Sequence, residues 1–271
     1  MLLCAGRGAS RPACRQWWAG CFLERVQVDG GGSRAPSPRD PERGSRGDGA
    51  DPRGRRLCFL QEDDGEAEHG ARARGDEDAR LAQREGVSIL SVGSELSSLE
   101  QELGRWRALI TQIRTEYSGS LIYSANWDHF QHVPFWALLD YVGISGYFEL
   151  TKDSKATSEE LTNAWWKIRT VILDWLSQYT RPLIFTELGY PSRDGGAVYP
   201  WDYTRKAVID LEEQRRALAA FKAVWATEER LHGVYFWNWW GPDDGRNSWY
   251  TIPGKPGLSE VVEYFRLRSL R

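Results

Sequence analysis

Residues 1–80 contain no Lys, Asn, Ile, Tyr or Thr and are rich in Gly, Arg, Asp, Glu and Ala. Stretches such as 30–56 show no apolar periodicity, so we expect this segment to be disordered because it cannot bury a core. The absent residue types mostly have A/T-rich codons, which predicts GC-rich sequence translated in a wrong frame or from a wrong start. A genuine Arg-rich tail is the alternative, although interspersed acids weaken any nucleic-acid patch.

Cysteine is scarce, and the spacing of the four cysteines matches no zinc or disulfide framework, so they do not indicate a redox compartment. All of them lie in the first part of the chain: Cys4, Cys14, Cys21 and Cys58. The net charge of −3 gives no sign of a nucleic-acid or membrane partner. No apolar run approaches the length of about 20 residues that spans a bilayer. Arginines interrupt residues 1–23, which therefore do not resemble a signal peptide, and localisation stays open.

From about residue 86 the chain alternates between strand and helix patterns. Apolar runs predict strands at 87–92, 120–124, 141–147, 183–185 and 231–240, and spacings of three and four predict helices at 99–117, 157–179, 212–227 and 257–267. Residues 133–139 read as a short helical turn. Strand–helix alternation indicates a parallel sheet in an α/β fold.

Five such units with right-handed crossovers suggest part of a barrel, because a complete (β/α)8 barrel has eight units in roughly 250 residues. We therefore predict that residues 86–271 form the C-terminal five units of a partial TIM barrel, with the first three units absent or garbled. An open doubly wound sheet is the rival. No Gly-rich phosphate loop follows any strand, which counts against a dinucleotide-binding fold.

Two acids stand where predicted strands end. Glu187 follows the apolar run Leu183–Phe185, and Glu95 follows the strand at 87–92. If Glu187 belongs to barrel strand seven, counting back places Glu95 on strand four, so both carboxylates can face one cavity. Glycoside hydrolysis uses such a pair, held about 5–5.5 Å apart in retaining enzymes, with environments that keep one acid protonated.

The motifs around these acids carry a family resemblance. G-S-E at 93–95 and F-T-E-L-G-Y at 185–190 resemble the clan of retaining glycosidases with catalytic Glu on strands four and seven. More narrowly, residues 87–268 resemble glycoside hydrolase family 113, the β-mannanase-type barrels. D-L-E-E-Q at 210–214, the tryptophan-rich strand at 234–240 and P-G-K-P at 253–256 support this resemblance in combination.

The resemblance implies specific roles. Glu95 would be the acid/base, Glu187 the nucleophile, and Tyr147 the residue that hydrogen-bonds and orients Glu187. It implies a β-linked, mannan-like substrate. Separately, we expect no metal and no cofactor. Ser94 stands where the wider clan usually has an Asn that binds the sugar 2-hydroxyl, so we expect recognition there to differ.

Tryptophans near the strand ends are candidates for stacking on sugar rings, since an indole offers a flat apolar face and an N–H donor. This set comprises Trp127, Trp237, Trp239 and Trp240, with Trp201 and Tyr203 in the long loop after Glu187. Core packing is the alternative, and we expect it for the helix tryptophans Trp106, Trp165 and Trp175, which lie on apolar stripes.

Polar residues near the same strand ends give further candidates. Asn126 precedes Trp127 and is predicted to bind substrate. Asp128 and Glu149 are either substrate-binding acids or, as we favour, helix caps or solvated loop charges. His129, His132 and His232 have no spacing typical of a metal site.

Three functional hypotheses follow. The first is a retaining glycoside hydrolase acting on an oligosaccharide or polysaccharide. We expect little turnover from a barrel that lacks three units, because its sheet edges and apolar interior are exposed. The second is a non-catalytic carbohydrate-binding remnant that keeps the aromatic platform. The third is a structural α/β protein with incidental strand-end acids. None involves nucleic acid or a membrane, and the oligomeric state is open.

Overall fold

The computed structural model of the chain describes residues 57–59, 70–239 and 245–270. Its strands are β1 (Leu57–Phe59), β2 (Ile89–Ser94), β3 (Ser120–Asn126), β4 (Tyr141–Ser145), β5 (Leu183–Leu188) and β6 (Leu231–Phe236). Its α-helices are α1 (Gly70–Arg84), α2 (Leu103–Glu116), α3 (Ser158–Leu176), α4 (Leu211–Trp225) and α5 (Gly257–Ser269). None of these helices is long and apolar enough to cross a membrane.

All strand pairs are parallel, and the strands lie side by side in the order of the chain, from β1 to β6. A doubly wound sheet reverses its strand order at a switch point, whereas this sheet does not reverse within the described residues. Unidirectional order with right-handed crossovers places the helices on one face, as in a barrel. The prediction of an α/β fold with barrel topology is therefore confirmed.

The ordered chain begins earlier than the boundary at residue 86 that composition suggested. Helix α1 packs on α2 through Ala79 and Ala82, both almost fully buried, and Gln112 donates to Asp76 at 2.7 Å. The buried residues of this helix are small alanines among many charged residues, so the sequence shows no clear apolar stripe. Strand β1 extends the sheet beside β2. The rest of 1–80 lies outside the described residues, so its disorder stays a prediction.

The connection between β3 and β4 contains no α-helix. Two short 3-10 helices replace it, Phe130–His132 and Trp136–Leu138, near the predicted turn at 133–139. Trp136 is fully buried, and its indole N–H donates to the Phe130 carbonyl at 2.8 Å. Large aromatic side chains thus cover this part of the sheet where a helix would otherwise lie.

Aromatic side chains dominate the layer between the sheet and the helices. Trp165 on α3 lies 6.0 Å from Phe185 on β5 and 5.3 Å from Phe221 on α4, measured between ring centroids. Thr157 and Glu160 form a reciprocal capping box that starts α3 and sets its entry onto the sheet. The expectation that the helix tryptophans serve the core is confirmed, since Trp106 and Trp165 are buried in it and Trp175 packs against it.

The opposite face of the sheet carries a small apolar cluster that contains Ile122 and Ile184. Above it, the hydroxyls of Ser124 on β3 and Thr186 on β5 lie 2.5 Å apart. Gly143 on the intervening strand pairs in register with Ser124 and Ile184, and its missing side chain leaves room for the Tyr123 carbonyl and the Ile122 side chain. The interior is therefore layered, apolar below and polar near the carboxyl ends of the strands.

Replacing Gly143 tests this packing. A Cβ atom there would lie 2.2 Å from the Tyr123 carbonyl oxygen. We expect Gly143→Ala to lower the free energy of unfolding by about 1–3 kcal/mol or more, the usual cost of overpacking. Gly104→Ala is the matched control, because nothing lies within 4 Å of its Cβ position, and it should be neutral or slightly stabilising in urea unfolding. Equal effects of the two substitutions would contradict the close approach at Gly143.

Candidate active site

Glu95 follows the last residue of β2 in an unusual backbone conformation. Its φ is +56°, in the left-handed region that non-glycine residues seldom occupy and that costs on the order of 1–3 kcal/mol. Its N–H donates to the Ser124 carbonyl at 2.8 Å, which ties the strained residue to β3. The side chain is exposed to solvent. The neighbouring strand therefore holds the backbone of Glu95 in this turn at the carboxyl end of β2.

A buried pair of residues that the sequence did not reveal supports this turn. The Tyr123 hydroxyl accepts from the Leu96 N–H at 2.8 Å and donates to Oε1 of Glu100 at 2.9 Å. Both side chains are almost fully buried, and burial together with the Glu100 charge raises the pKa of Tyr123. Because Tyr123 stays protonated, it keeps donating to Glu100 and fixes the residues after Glu95.

Glu187 lies near the end of β5 and is held by the loop after β4. Its carbonyl accepts from the Gly146 N–H at 2.7 Å. The Tyr147 hydroxyl donates to Oε2 of the Glu187 carboxyl at 2.6 Å, which is the contact that the family resemblance implies. Backbone and side chain of Glu187 are thus both fixed by one short segment.

The electrostatics connect the two acids. Burial raises the pKa of Glu187 to about 7, the hydrogen bond from Tyr147 opposes that rise, and the negative charge of Glu95 adds to it. Burial and the charges of both glutamates raise the pKa of Tyr147. Glu95 therefore acts electrostatically on both members of the Tyr147–Glu187 hydrogen bond, and the prediction that both carboxyls face one cavity stays a prediction.

Trp237 meets the end of β5 directly. Its backbone N–H donates to the Leu188 carbonyl at 2.8 Å, and a Cβ atom on Gly189 would lie 2.2 Å from the Trp237 carbonyl oxygen. Gly189 therefore permits the Trp237 backbone to lie against the chain two residues beyond Glu187. Trp239 is half-buried and packs against the apolar core, while Trp240 lies outside the described residues.

The candidates after β2 and β3 are partly engaged by the protein itself. Ser94 is half-buried at the end of β2 and pairs with Ser124. The side-chain oxygen of Asn126 accepts from the Trp127 N–H at 2.8 Å. Trp127 packs edge-on against Phe148 with ring centroids 5.8 Å apart. Trp127 thus combines core packing with a position at the strand end.

Trp201 lies in the loop after β5 and bridges to the loop after β4. Its indole N–H donates to Oε1 of Glu149 at 3.1 Å, while Lys152 binds the other oxygen of that carboxyl. Nearly half of the Trp201 surface remains exposed, at 47%. Glu149 is therefore a loop charge that anchors an accessible indole. Asp128 is likewise paired, with His129 at 2.6 Å.

Three acids beside the same loop have the spacing of a metal site. Carboxylate oxygens of Asp194, Asp210 and Glu213 all lie within 4.8 Å of one another. Protein donors already bind them: two backbone N–H groups reach Glu213 at 2.8 and 2.9 Å, Lys155 reaches Asp194 at 2.5 Å, and Asp210 caps α4. The cluster therefore fastens the loop onto α4 through hydrogen bonds that these side chains make within the described residues.

Barrel-type glycoside hydrolases have parallel strands that lie in the order of the chain, with a pair of acids at the carboxyl ends of those strands. The chain belongs to glycoside hydrolase family 113, whose sequence profile matches residues 72–250. The recognition made from the sequence motifs is thereby confirmed. None of the curated protein sequences matches the chain.

Solved structures agree with this family. A family 113 β-mannanase from Alicyclobacillus acidocaldarius, in complex with ManMIm, is 28% identical with a TM-score of 0.64, covering 74% of this chain and 61% of its own. A family 113 β-1,4-mannanase is 25% identical with a TM-score of 0.65, covering 76% and 66%. A Bifidobacterium dentium β-glucuronidase, 16% identical with a TM-score of 0.53 over 74% and 34%, shares the fold alone. The chain thus spans under two thirds of the length of these mannanases.

The coupling among the three groups predicts opposite pKa shifts for two substitutions. Glu95→Gln should lower the pKa of Glu187, because it removes a negative charge that raises it. Tyr147→Phe should raise the same pKa, because it removes a hydrogen bond to the ionised form. Side-chain carboxyl NMR titration measures both shifts. Glu229→Gln, an exposed change at the amino edge of the sheet, is the control and should leave Glu187 unchanged. Shifts of the same sign in both variants would contradict the arrangement.

The raised pKa of Glu187 also predicts a pH-dependent stability cost. A carboxyl whose pKa rises from 4.5 to about 7 on folding stabilises the protein in its protonated form, and this contribution disappears as the pH rises through about 7. Relative to wild type, Glu187→Gln should therefore gain about 2–3 kcal/mol of unfolding free energy between pH 4.5 and pH 8. Denaturant unfolding across that range checks it, with exposed Glu159→Gln as a control expected to show no such trend.

Proposed function

We propose that the chain carries the catalytic residues of a retaining glycoside hydrolase that acts on β-linked, mannan-type sugars. The observation that supports this most strongly is the Tyr147–Glu187 hydrogen bond with the Glu95 carboxylate coupled to both groups. The two family 113 structures, a β-mannanase and a β-1,4-mannanase, suggest the substrate class. The substrate is an oligosaccharide or polysaccharide.

In the proposed reaction, the Glu187 carboxylate attacks the anomeric carbon while the bond to the leaving oxygen breaks. Glu95 gives its proton to that oxygen, so the departing sugar leaves as an alcohol. Glu95, now ionised, then takes a proton from water, and the resulting hydroxide attacks the anomeric carbon of the glycosyl–Glu187 ester. The ester bond breaks, Glu187 leaves as a carboxylate, and the sugar keeps its β configuration.

The proton distribution fits these roles only if the two acids act as a pair. Ionised Glu95 raises the pKa of Glu187, but this effect vanishes once Glu95 holds a proton. The reaction needs Glu187 in its ionised form, and with a proton on Glu95 only burial still raises the pKa of Glu187. Tyr147 favours the ionised form by donating to Oε2 of Glu187, which leaves Oε1 for the attack.

A non-catalytic carbohydrate-binding protein is the second candidate. One observation favours it: burial leaves Glu187 with a pKa of about 7, so a large fraction would be protonated and a poor nucleophile near neutrality. Such a protein would still present Trp201 and Trp237 to sugar rings. Binding of mannan oligosaccharides without turnover would select this candidate.

Glu187→Ala should reduce turnover of an aryl β-mannoside by several orders of magnitude, because the covalent intermediate cannot form. Azide should partly restore it, since the anion can occupy the vacated space and attack from the same side. The product would then be the α-mannosyl azide, identified by NMR.

Glu95→Ala is the comparison that separates the roles. Because its nucleophile is intact, added azide should intercept the glycosyl–enzyme and yield the β-mannosyl azide, and only substrates with good leaving groups should react quickly. The reverse stereochemistry in the two variants would exchange the assignments. Wild-type activity in Glu187→Ala without azide would contradict the proposal.

A further inference from the structure

Tyr250 is a buried aromatic residue beside the Tyr147–Glu187 hydrogen bond. Its ring meets that of Tyr147 edge to face, with centroids 6.0 Å apart and planes 77° apart. Its hydroxyl donates to the Pro200 carbonyl at 2.5 Å, and Pro200 immediately precedes Trp201. One side chain therefore contacts both the tyrosine that holds Glu187 and the loop that carries an exposed indole.

The backbone on which Tyr250 sits is firmly anchored. The carbonyl of Trp249 accepts from Ser192 Oγ at 2.9 Å and from the buried Lys255 Nζ at 3.0 Å. The carbonyl of Tyr250 itself accepts from Gln214 at 3.3 Å. Fixed at its backbone and at its hydroxyl, the ring has little freedom to move away from Tyr147.

The space around the ring is also closed at the end of β5. A Cβ atom on Gly189 would lie 3.1 Å from Cδ1 of Tyr250, so the ring fills the gap between Gly189 and Tyr147. Without the ring, Tyr147 would lose the neighbour on that side. Its hydroxyl could then rotate off Glu187, since a single hydrogen bond stabilises by only about 0.5–1.5 kcal/mol.

We propose that Tyr250 is a positioning residue that joins the Trp201 loop to the Tyr147–Glu187 hydrogen bond. The ring keeps the Tyr147 hydroxyl on Glu187, and the Tyr250 hydroxyl keeps Pro200, and with it Trp201, at a fixed place beside the site. The catalytic consequences rest on the proposed function, whereas the coupling between the three side chains does not.

The charges around these groups set the expected direction of each effect. Glu187 faces Tyr147 and Glu95, and loss of the Tyr147 hydrogen bond raises its pKa. Burial raises the pKa of Tyr250 to about 12, with Arg193 lowering it and the charges of Asp202 and Glu187 raising it. Tyr250 thus stays neutral at working pH and acts by packing and hydrogen bonding.

The test of the ring is a double-mutant cycle between Tyr250→Leu and Tyr147→Phe, with the pKa of Glu187 read by side-chain carboxyl NMR. Tyr250→Leu alone should raise that pKa and shift the pH profile of kcat in the same direction. In the Tyr147→Phe background it should add nothing, because the hydrogen bond is already gone. An unchanged pKa in a folded Tyr250→Leu protein, or an equal shift in both backgrounds, would overturn the proposal.

Tyr250→Phe tests the hydroxyl and keeps the ring, so it remains informative if the Leu variant does not fold. It should raise KM for mannan oligosaccharides about 3- to 10-fold, the loss expected for one hydrogen bond, while kcat on a small aryl mannoside stays within twofold. Combined with Trp201→Ala, it should add no further loss. An unchanged KM, or an increase in KM that adds fully to the increase caused by Trp201→Ala, would contradict the role of the Tyr250 hydroxyl in holding Pro200 and Trp201. If the wild type has no turnover, the proposed function fails, yet the NMR cycle still decides the coupling.

Discussion

The hydrogen bond from Tyr147 to Glu187 is the interaction on which the site depends. Burial disfavours an ionised carboxylate, and the nearby Glu95 charge disfavours it further, while this 2.6 Å bond opposes both. In the proposed role of nucleophile, Glu187 would have to be ionised although it is buried, and these two demands conflict. The Tyr147 hydroxyl opposes the rise in the pKa of Glu187 by donating to the carboxyl, while burial remains the largest effect on that pKa.

The sheet makes this arrangement possible through close backbone approaches. Gly143 lets β4 lie close to the Tyr123 carbonyl and the Ile122 side chain on β3, and Gly189 lets the residue after β6 reach the end of β5. The left-handed backbone of Glu95 adds strain at the end of β2. The buried Tyr123 hydroxyl accepts a hydrogen bond from the next residue, Leu96, and so supports this turn. The strained backbone of Glu95 thus lowers stability at the carboxyl edge of the sheet, where the proposed active site lies.

Most of the barrel units could be predicted because their apolar periodicity is strong. Both glutamates could be placed at strand ends because an acid after a buried run has few structural uses. Helix α1 was missed, since its buried Ala79 and Ala82 give no contrast against charged neighbours. Tyr123 and Tyr250 were missed for another reason: their roles arise from contacts between residues far apart in the chain, which no local pattern records.

The central claim is that Glu187 is the residue that bonds covalently to the sugar. The protein is incubated with a 2-deoxy-2-fluoro-β-mannosyl fluoride. The fluorine at C2 slows both formation and hydrolysis of the glycosyl–enzyme, but the good fluoride leaving group makes formation the faster of the two, so the glycosyl–enzyme should accumulate. Intact-mass measurement should then show one added fluoromannosyl group, and peptide mapping should locate it on Glu187. A label on Glu95, or hydrolysis of aryl mannoside by protein that never acquires a label, would contradict the account.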